Sequence, residues 1–186
     1  MSKYAIVTIG IAACLFGGCT GTIIKEGAGA VMGAKGSVTP LAPVQSAPPA
    51  RTLGPYQRFE LGTFTDDMAG LVPPALFEDL PGEFLKALAK KKIRNAATGR
   101  TLLIRGKVLH YEDSSTVGKA VGPVEFVVAQ VEFVDKGTGQ VLGRANCVGL
   151  TTARVNIGVG KKAEGLGKAI ANWIDQRYPE DLRIQD

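Results

Sequence analysis

The stretch VEFVVAQVEFVDKGTGQVLGRANCVGL, Val124–Leu150, decides the fold. Val127, Ala129, Val131 and Phe133 form one row of an alternating pattern, as in a strand with one face against a core. KGTG, Lys136–Gly139, supplies a turn, and QVLGRANCVGL returns as the next strand. On that return Val141, Gly143, Ala145, Cys147 and Gly149 make a row of small side chains. Such a row predicts a helix lying close on this face, because small side chains let the two backbones approach.

Upstream, TLLIRGKVLHYED (Thr101–Asp113) reads as the preceding strand. Leu102, Ile104, Val108 and His110 stand on one face, and Leu103, Arg105, Lys107, Leu109 and Tyr111 on the other. YQRFELGTFTDD (Tyr56–Asp67) alternates partly, through Phe59, Leu61 and Phe64, and reads as the first strand. Between them Leu76, Phe77, Leu80, Phe84, Leu85, Leu88 and Ile93 recur at helical spacing. Pro81 and Gly82 interrupt this run, so the helix starts near Pro81 or kinks there. Glu78, Asp79 and Glu83 lie early and Lys90, Lys91, Lys92 and Arg94 late, a polarity that complements the helix dipole. The lysine run therefore reads first as helix-end stabilisation. A last helix, about Lys162–Tyr178, carries Leu166, Ile170, Trp173 and Ile174 as a stripe and stops at Pro179.

The expected fold is α+β, a two-layer mixed four-stranded sheet in the order strand, helix, three-strand meander, helix, with both helices on one face. A single domain over residues 56–178 accounts for it, leaving residues 179–186 as a C-terminal tail.

The chain begins with a short positive region, Met1–Lys3, then the uncharged apolar run Tyr4–Phe16. That run suits a signal peptide and is too short to span a bilayer, which needs about 20 apolar residues. Gly17 and Gly18 precede Cys19, and IAAC ends at Cys14. The stretch resembles the lipobox of bacterial lipoproteins, in which small residues precede a cysteine that is diacylated before cleavage. Phe16 stands where the motif prefers Leu, and Leu15 is one residue earlier. The resemblance implies a signal peptide over residues 1–18 and lipidation of Cys19, with Cys14 as the alternative. Thr20, where an Asp would retain the protein at the inner membrane, implies the outer membrane in a two-membraned host, facing the periplasm. Residues 19–55, dominated by Gly, Ala, Pro and Ser, read as a tether. Gly29 and Gly33 form a GxxxG there, but Lys25, Glu26 and Lys35 argue against a membrane helix.

The element order, the turn VEFVDKGTGQVLG and the leader together resemble a family of bacterial envelope lipoproteins of unassigned function. Their domain is similar in outline to the amino-terminal domain of the TolB type and to the curli-secretion lipoprotein. The resemblance implies an architecture and a compartment, and carries no catalytic residue.

Composition excludes several classes. With 22 basic against 17 acidic side chains, and Lys3 in the leader, the mature chain is only mildly basic, so no nucleic-acid partner is expected. One histidine, His110, and three cysteines leave too few ligands for the usual zinc sites, and neither metal nor cofactor is expected. NIGVGKKAEGLGKAI (Asn156–Ile170) offers a glycine- and lysine-rich helix start. As a phosphate loop it fails, because Lys162 stands where the first glycine belongs and Ala169 replaces the hydroxyl. Cys147 falls among small residues on the helix-facing side, the setting of an inert buried thiol. Asp66-Asp67 and Glu112-Asp113 follow strands and suit turns better than acid–base work. Two loops, Asp113–Pro123 and Thr152–Lys162, remain as a candidate contact surface, through Ser114, Ser115, Lys119, Arg154, Lys161 and Lys162.

These readings favour a membrane-anchored binding or assembly module with an envelope protein partner, and no enzyme. The alternative is a small envelope enzyme or a nucleotide- or phosphate-binding protein using the Gly/Lys-rich loop 156–168 or Cys147.

Overall fold

The computed structural model describes residues 34–41, 52–112, 125–151 and 158–185. Its elements run β1 (Lys35–Pro40), β2 (Arg58–Asp66), α1 (Pro74–Lys90), β3 (Thr101–Tyr111), β4 (Glu125–Asp135), β5 (Val141–Thr151) and α2 (Val159–Asp175), with a final 3-10 turn, Glu180–Leu182. The β4–β5 hairpin has the expected pairing, with Ala129 opposite Cys147 and Val131 opposite Ala145. Its turn closes through Gly139, whose φ of 74° is a left-handed conformation that glycine adopts without steric cost. The fold class is the expected α+β, with one correction: the sheet has five strands, in the order β1-β5-β4-β3-β2. β2 and β3 pair in parallel through the α1 crossover, and the other neighbours are antiparallel.

The added strand is β1, which pairs with β5 from Lys35 opposite Leu150 to Pro40 opposite Ala145. Lys35–Pro40, read from the sequence as part of a tether over residues 19–55, are therefore a strand of the sheet. Gly36 explains why this short Gly/Pro-flanked segment is held. A Cβ there would lie 2.3 Å from the backbone nitrogen of Ala169, so only glycine lets α2 sit this close. Leu53 is fully buried as well, and its N–H donates to the Arg177 carbonyl at 3.1 Å. The GxxxG at Gly29 and Gly33 lies outside the described residues.

The small-residue row of β5 does what its pattern predicts. A Cβ on Gly149 would meet the backbone of Leu166 and Lys162 at 2.5 and 2.6 Å, and one on Gly143 would strike the Trp173 ring at 2.6 Å. Gly165 presses from the helix side onto Gly149 and Lys35, while Gly167 faces the backbone of Phe84 in α1. Trp173 stacks on Phe133 with centroids 3.6 Å apart.

Register shifts explain where the alternation changes phase. Between Val108 and His110 β3 carries Leu109 as an extra residue against β4, so Tyr111, not His110, turns into the core. The sequence-based assignment of those two side chains is thus reversed. A shift between Leu61 and Phe64 likewise returns Phe64 to the helix side, over Gly106. α1 starts at Pro74 and runs uninterrupted through Pro81, because Leu76 and Leu80 ahead of it are buried with Phe84 and Leu88 behind it. Glu78, Asp79 and Glu83 consequently lie beyond the first turn, which has no acidic residue, while Lys90 is in the last. α2 begins at Val159, earlier than the stripe suggested. The expected tail is docked: Arg183 donates to the Lys91 carbonyl at 2.7 Å and the Ile184 N–H to the Lys92 carbonyl at 2.9 Å.

Gly149→Val should push α2 off the sheet and cost about 2–3 kcal/mol, lowering the urea midpoint. Gly82→Ala, in α1 with open space around it, should raise stability by about 0.5–1 kcal/mol. Equal midpoints for the two variants would show that backbone approach does not set the packing.

Candidate functional site

Both helices cover one face of the sheet, and the alternation fixes what the other face presents. At one end stand Phe126, Val128, Val148 and Leu150, all half-buried, with Phe126 opposite Leu150 and Val128 opposite Val148. His110 stacks on Phe126 with centroids 4.8 Å apart and planes 19° from parallel. At the other end the face is charged. Glu132 accepts from Arg144 Nε at 2.6 Å and from Arg105 Nε at 3.0 Å. Burial alone would raise the Glu132 pKa, but these two guanidinium groups outweigh it and hold the carboxyl below its ordinary value. Lys107 pairs with Asp67 at 3.0 Å, and Lys136 with Glu60 at 2.7 Å. Thr63, Thr65, Arg105, Lys107, Gln130 and Glu132 line a shallow concavity there. This face, which no helix or strand among the described residues covers, is therefore apolar at one end and a lattice of paired charges at the other.

Two buried ionic groups lie behind this face. At the hairpin end, Asp135 is 1% exposed and accepts from Tyr56 Oη at 2.8 Å, Arg100 Nε at 2.9 Å and the N–H groups of Gly137 and Thr138. The Arg100 guanidinium, then the Tyr56 hydroxyl, holds its carboxyl far below the usual aspartate range. Burial, then the bond to Asp135, pushes Tyr56 up to about 12. At the opposite end Lys162 is 0% exposed, with its Nζ 3.0 Å from Glu125 Oε2 and 4.1 Å from the Tyr111 ring centre. Burial would lower the lysine pKa, but Glu125 and Tyr111 overcome it and raise the value, so the ammonium stays charged.

The sequence-predicted contact residues fare unevenly. Ser114, Ser115, Lys119 and Arg154 lie outside the described residues. Lys161 is half-buried at the start of α2 and pairs with Glu164 at 2.6 Å. Lys162 is corrected outright: it is a core residue and presents nothing to a partner. The lipidation candidates Cys19 and Cys14 are outside the described residues. In the glycine–lysine loop, Gly165 and Gly167 serve backbone approach, and Lys168 pairs with Glu164 at 2.7 Å and donates to the Ala34 carbonyl at 2.8 Å. Cys147 is fully buried, and burial pushes its thiol up to about 12, opposite to what a nucleophile needs. Asp66 accepts from the N–H groups of Met68, Gly70 and Val72, the turn role expected of it. Among the described residues no group of three or more His, Cys, Asp or Glu side chains could hold a metal ion. Glu125, Tyr111, Tyr56, Arg100 and Asp135 carried no local signal, because each gains its partner from a distant segment.

Lys162→Met should cost about 3–5 kcal/mol, since it strands the buried Glu125 carboxylate, and Glu125→Gln in the same chain should recover part of that loss. Urea midpoints of the single and double variants measure the coupling. For Asp135 the folded-state pKa lies below the ordinary 3.8, so its stabilisation is complete above that value and fades as pH falls beneath it. Asp135→Asn should accordingly lower the urea midpoint at neutral pH and flatten its decline between about pH 4 and pH 2. A decline as steep as in the parent chain would remove Asp135 as its source.

No family model matches the chain, and no curated protein matches it by sequence. Similar solved structures include two of the PelC dodecamer from Paraburkholderia phytofirmans, one of them a point variant. They are 16% and 13% identical, each with a TM-score of 0.48, covering 78% of this chain and 99% of theirs. Another is a minor lipoprotein from Acinetobacter baumannii, 14% identical with a TM-score of 0.35, covering 64% of this chain and 90% of its own. At these values the functional reading rests on the residues of the chain itself.

Proposed function

We propose that this protein is a lipid-anchored envelope lipoprotein whose domain works as a binding or assembly module through the open face of its sheet. The observation that carries the reading is that face: half-buried Phe126, Val128, Val148 and Leu150 stand in one patch that no helix or strand among the described residues covers, beside a fixed lattice of charges. An uncovered apolar patch bordered by polar groups is the usual composition of a protein contact surface. The leader supports the anchor, through its positive start, short apolar run and the small residues before Cys19. Among the described residues no helix is long and apolar enough to cross a membrane. The competing phosphate-loop and thiol chemistries would draw on groups already engaged in packing and ion pairs.

Intact-mass analysis of the mature protein should find a diacylglyceryl group on its first residue, Cys19, and Cys19→Ser should abolish that mass. A photo-crosslinking side chain at Val148 should capture an envelope protein, while the same group at Lys86 on the helix side should not. Equal capture from both positions would remove the open face as the binding surface.

A further inference from the structure

The first described residue, Ala34, does not emerge at a random point of the surface. It is 4% exposed and lies in a groove of about 480 Å³ lined by Lys35, Lys90, Lys91, Lys168 and Asn172, between the start of β1 and the end of α1 across the back of α2. Lys168 donates to the Ala34 carbonyl at 2.8 Å, which fixes the point where residues 1–33 join the domain.

Cations outnumber carboxylates around this groove. Glu164 is shared between Lys161 and Lys168, and Asp175 between Lys91 and Arg183. Lys90 and Lys35 are exposed and have no carboxylate partner among the described residues. The dipole of α1 accounts for a lysine at its last turn, but not for the lysines that α2 and β1 add to the same place.

We propose that this lysine-rich groove is a membrane-contact surface that seats the domain on anionic phospholipid headgroups. The proposal rests on the lipid-anchor reading, in which only residues 20–33 separate the lipidated Cys19 from Ala34 in the groove. Fully extended, that segment spans at most on the order of 50 Å, so the anchor keeps the groove near the bilayer. Contact with headgroups is then an intramolecular event at high effective concentration, where a few lysines suffice. A single lipid chain with a basic patch is a sufficient pair of membrane signals, and each lysine at an anionic surface adds roughly a fivefold preference. A groove with paired acids at its rim and free ammonium groups at its mouth suits a diffuse layer of phosphates. The open face of the sheet, on the opposite side from the helices, would then be turned away from the bilayer and free for a partner.

The test uses the full mature protein, as purified from its envelope, reconstituted into vesicles of phosphatidylcholine alone or with phosphatidylglycerol. Lysine acetylation is read residue by residue by mass spectrometry. Lys90 should react about fivefold more slowly on the anionic vesicles, with the protection lost at about 1 M salt. Lys136, at the distant hairpin turn, should react equally on both. Lys35→Glu with Lys90→Glu should leave the melting temperature within a few degrees and abolish the protection remaining at Lys91 and Lys168; Lys90→Gln should halve it or more. Equal Lys90 reactivity on both vesicles, with the protein still vesicle-bound, overturns the surface while leaving the anchor standing. Equal protection by inorganic phosphate without vesicles overturns the headgroup as the occupant. A mature protein without diacylglyceryl mass, free of both vesicles, overturns the anchor and this surface together.

Discussion

The structure depends on one steric constraint, the approach of α2 to the sheet at backbone distance. Gly36 and Gly149 on adjacent strands and Gly165 on the helix form three bare positions in one contact. A side chain at any of them would lie within 3 Å of backbone atoms. Closeness of this kind has consequences beyond packing. It holds β1 at the sheet edge although the strand is short and rich in small residues. It also carries Lys162, one turn from Gly165, into the core, where an ammonium survives only because Glu125 and Tyr111 meet it.

Polar groups are distributed with the same economy. The two ends of the core are closed by different charged clusters, Tyr56–Asp135–Arg100 at the hairpin and Tyr111–Glu125–Lys162 at the other end. Each ties a strand terminus to a segment far away in the chain, so neither end of the sheet can fray without exposing a charge that its partner neutralises. Among the described residues the thiol, the loop glycines and the buried lysine all serve the fold, and the two surfaces proposed for recognition, the sheet face away from the helices and the basic rim beside Ala34, draw on other side chains.

Much of this was legible in the linear pattern. The row of small residues on β5, its alternation against β4, and the apolar stripes of α1 and α2 all predicted their elements, because each depends on a period of two or 3.6 within one segment. The errors cluster where a second segment decides. A register shift at Leu109 exchanged Tyr111 for His110, and nothing local marks which residue of a strand is the extra one. Residues Lys35–Pro40 looked like part of a linker, since a six-residue strand needs β5 and α2 on either side to be worth forming.

The sequence by itself determined the α+β class, the hairpin, the two amphipathic helices, the buried thiol and the leader pattern that points to an anchored protein. Those are statements about local periodicity and composition, and they follow from chemistry within a few residues. Tertiary structure alone decided the fifth strand, the docked C-terminal segment, the burial of Lys162 and the gathering of lysines from β1, α1 and α2 beside Ala34. In each case the governing term is a contact between segments more than twenty residues apart, whose steric fit or charge balance exists only once the sheet and helices are assembled.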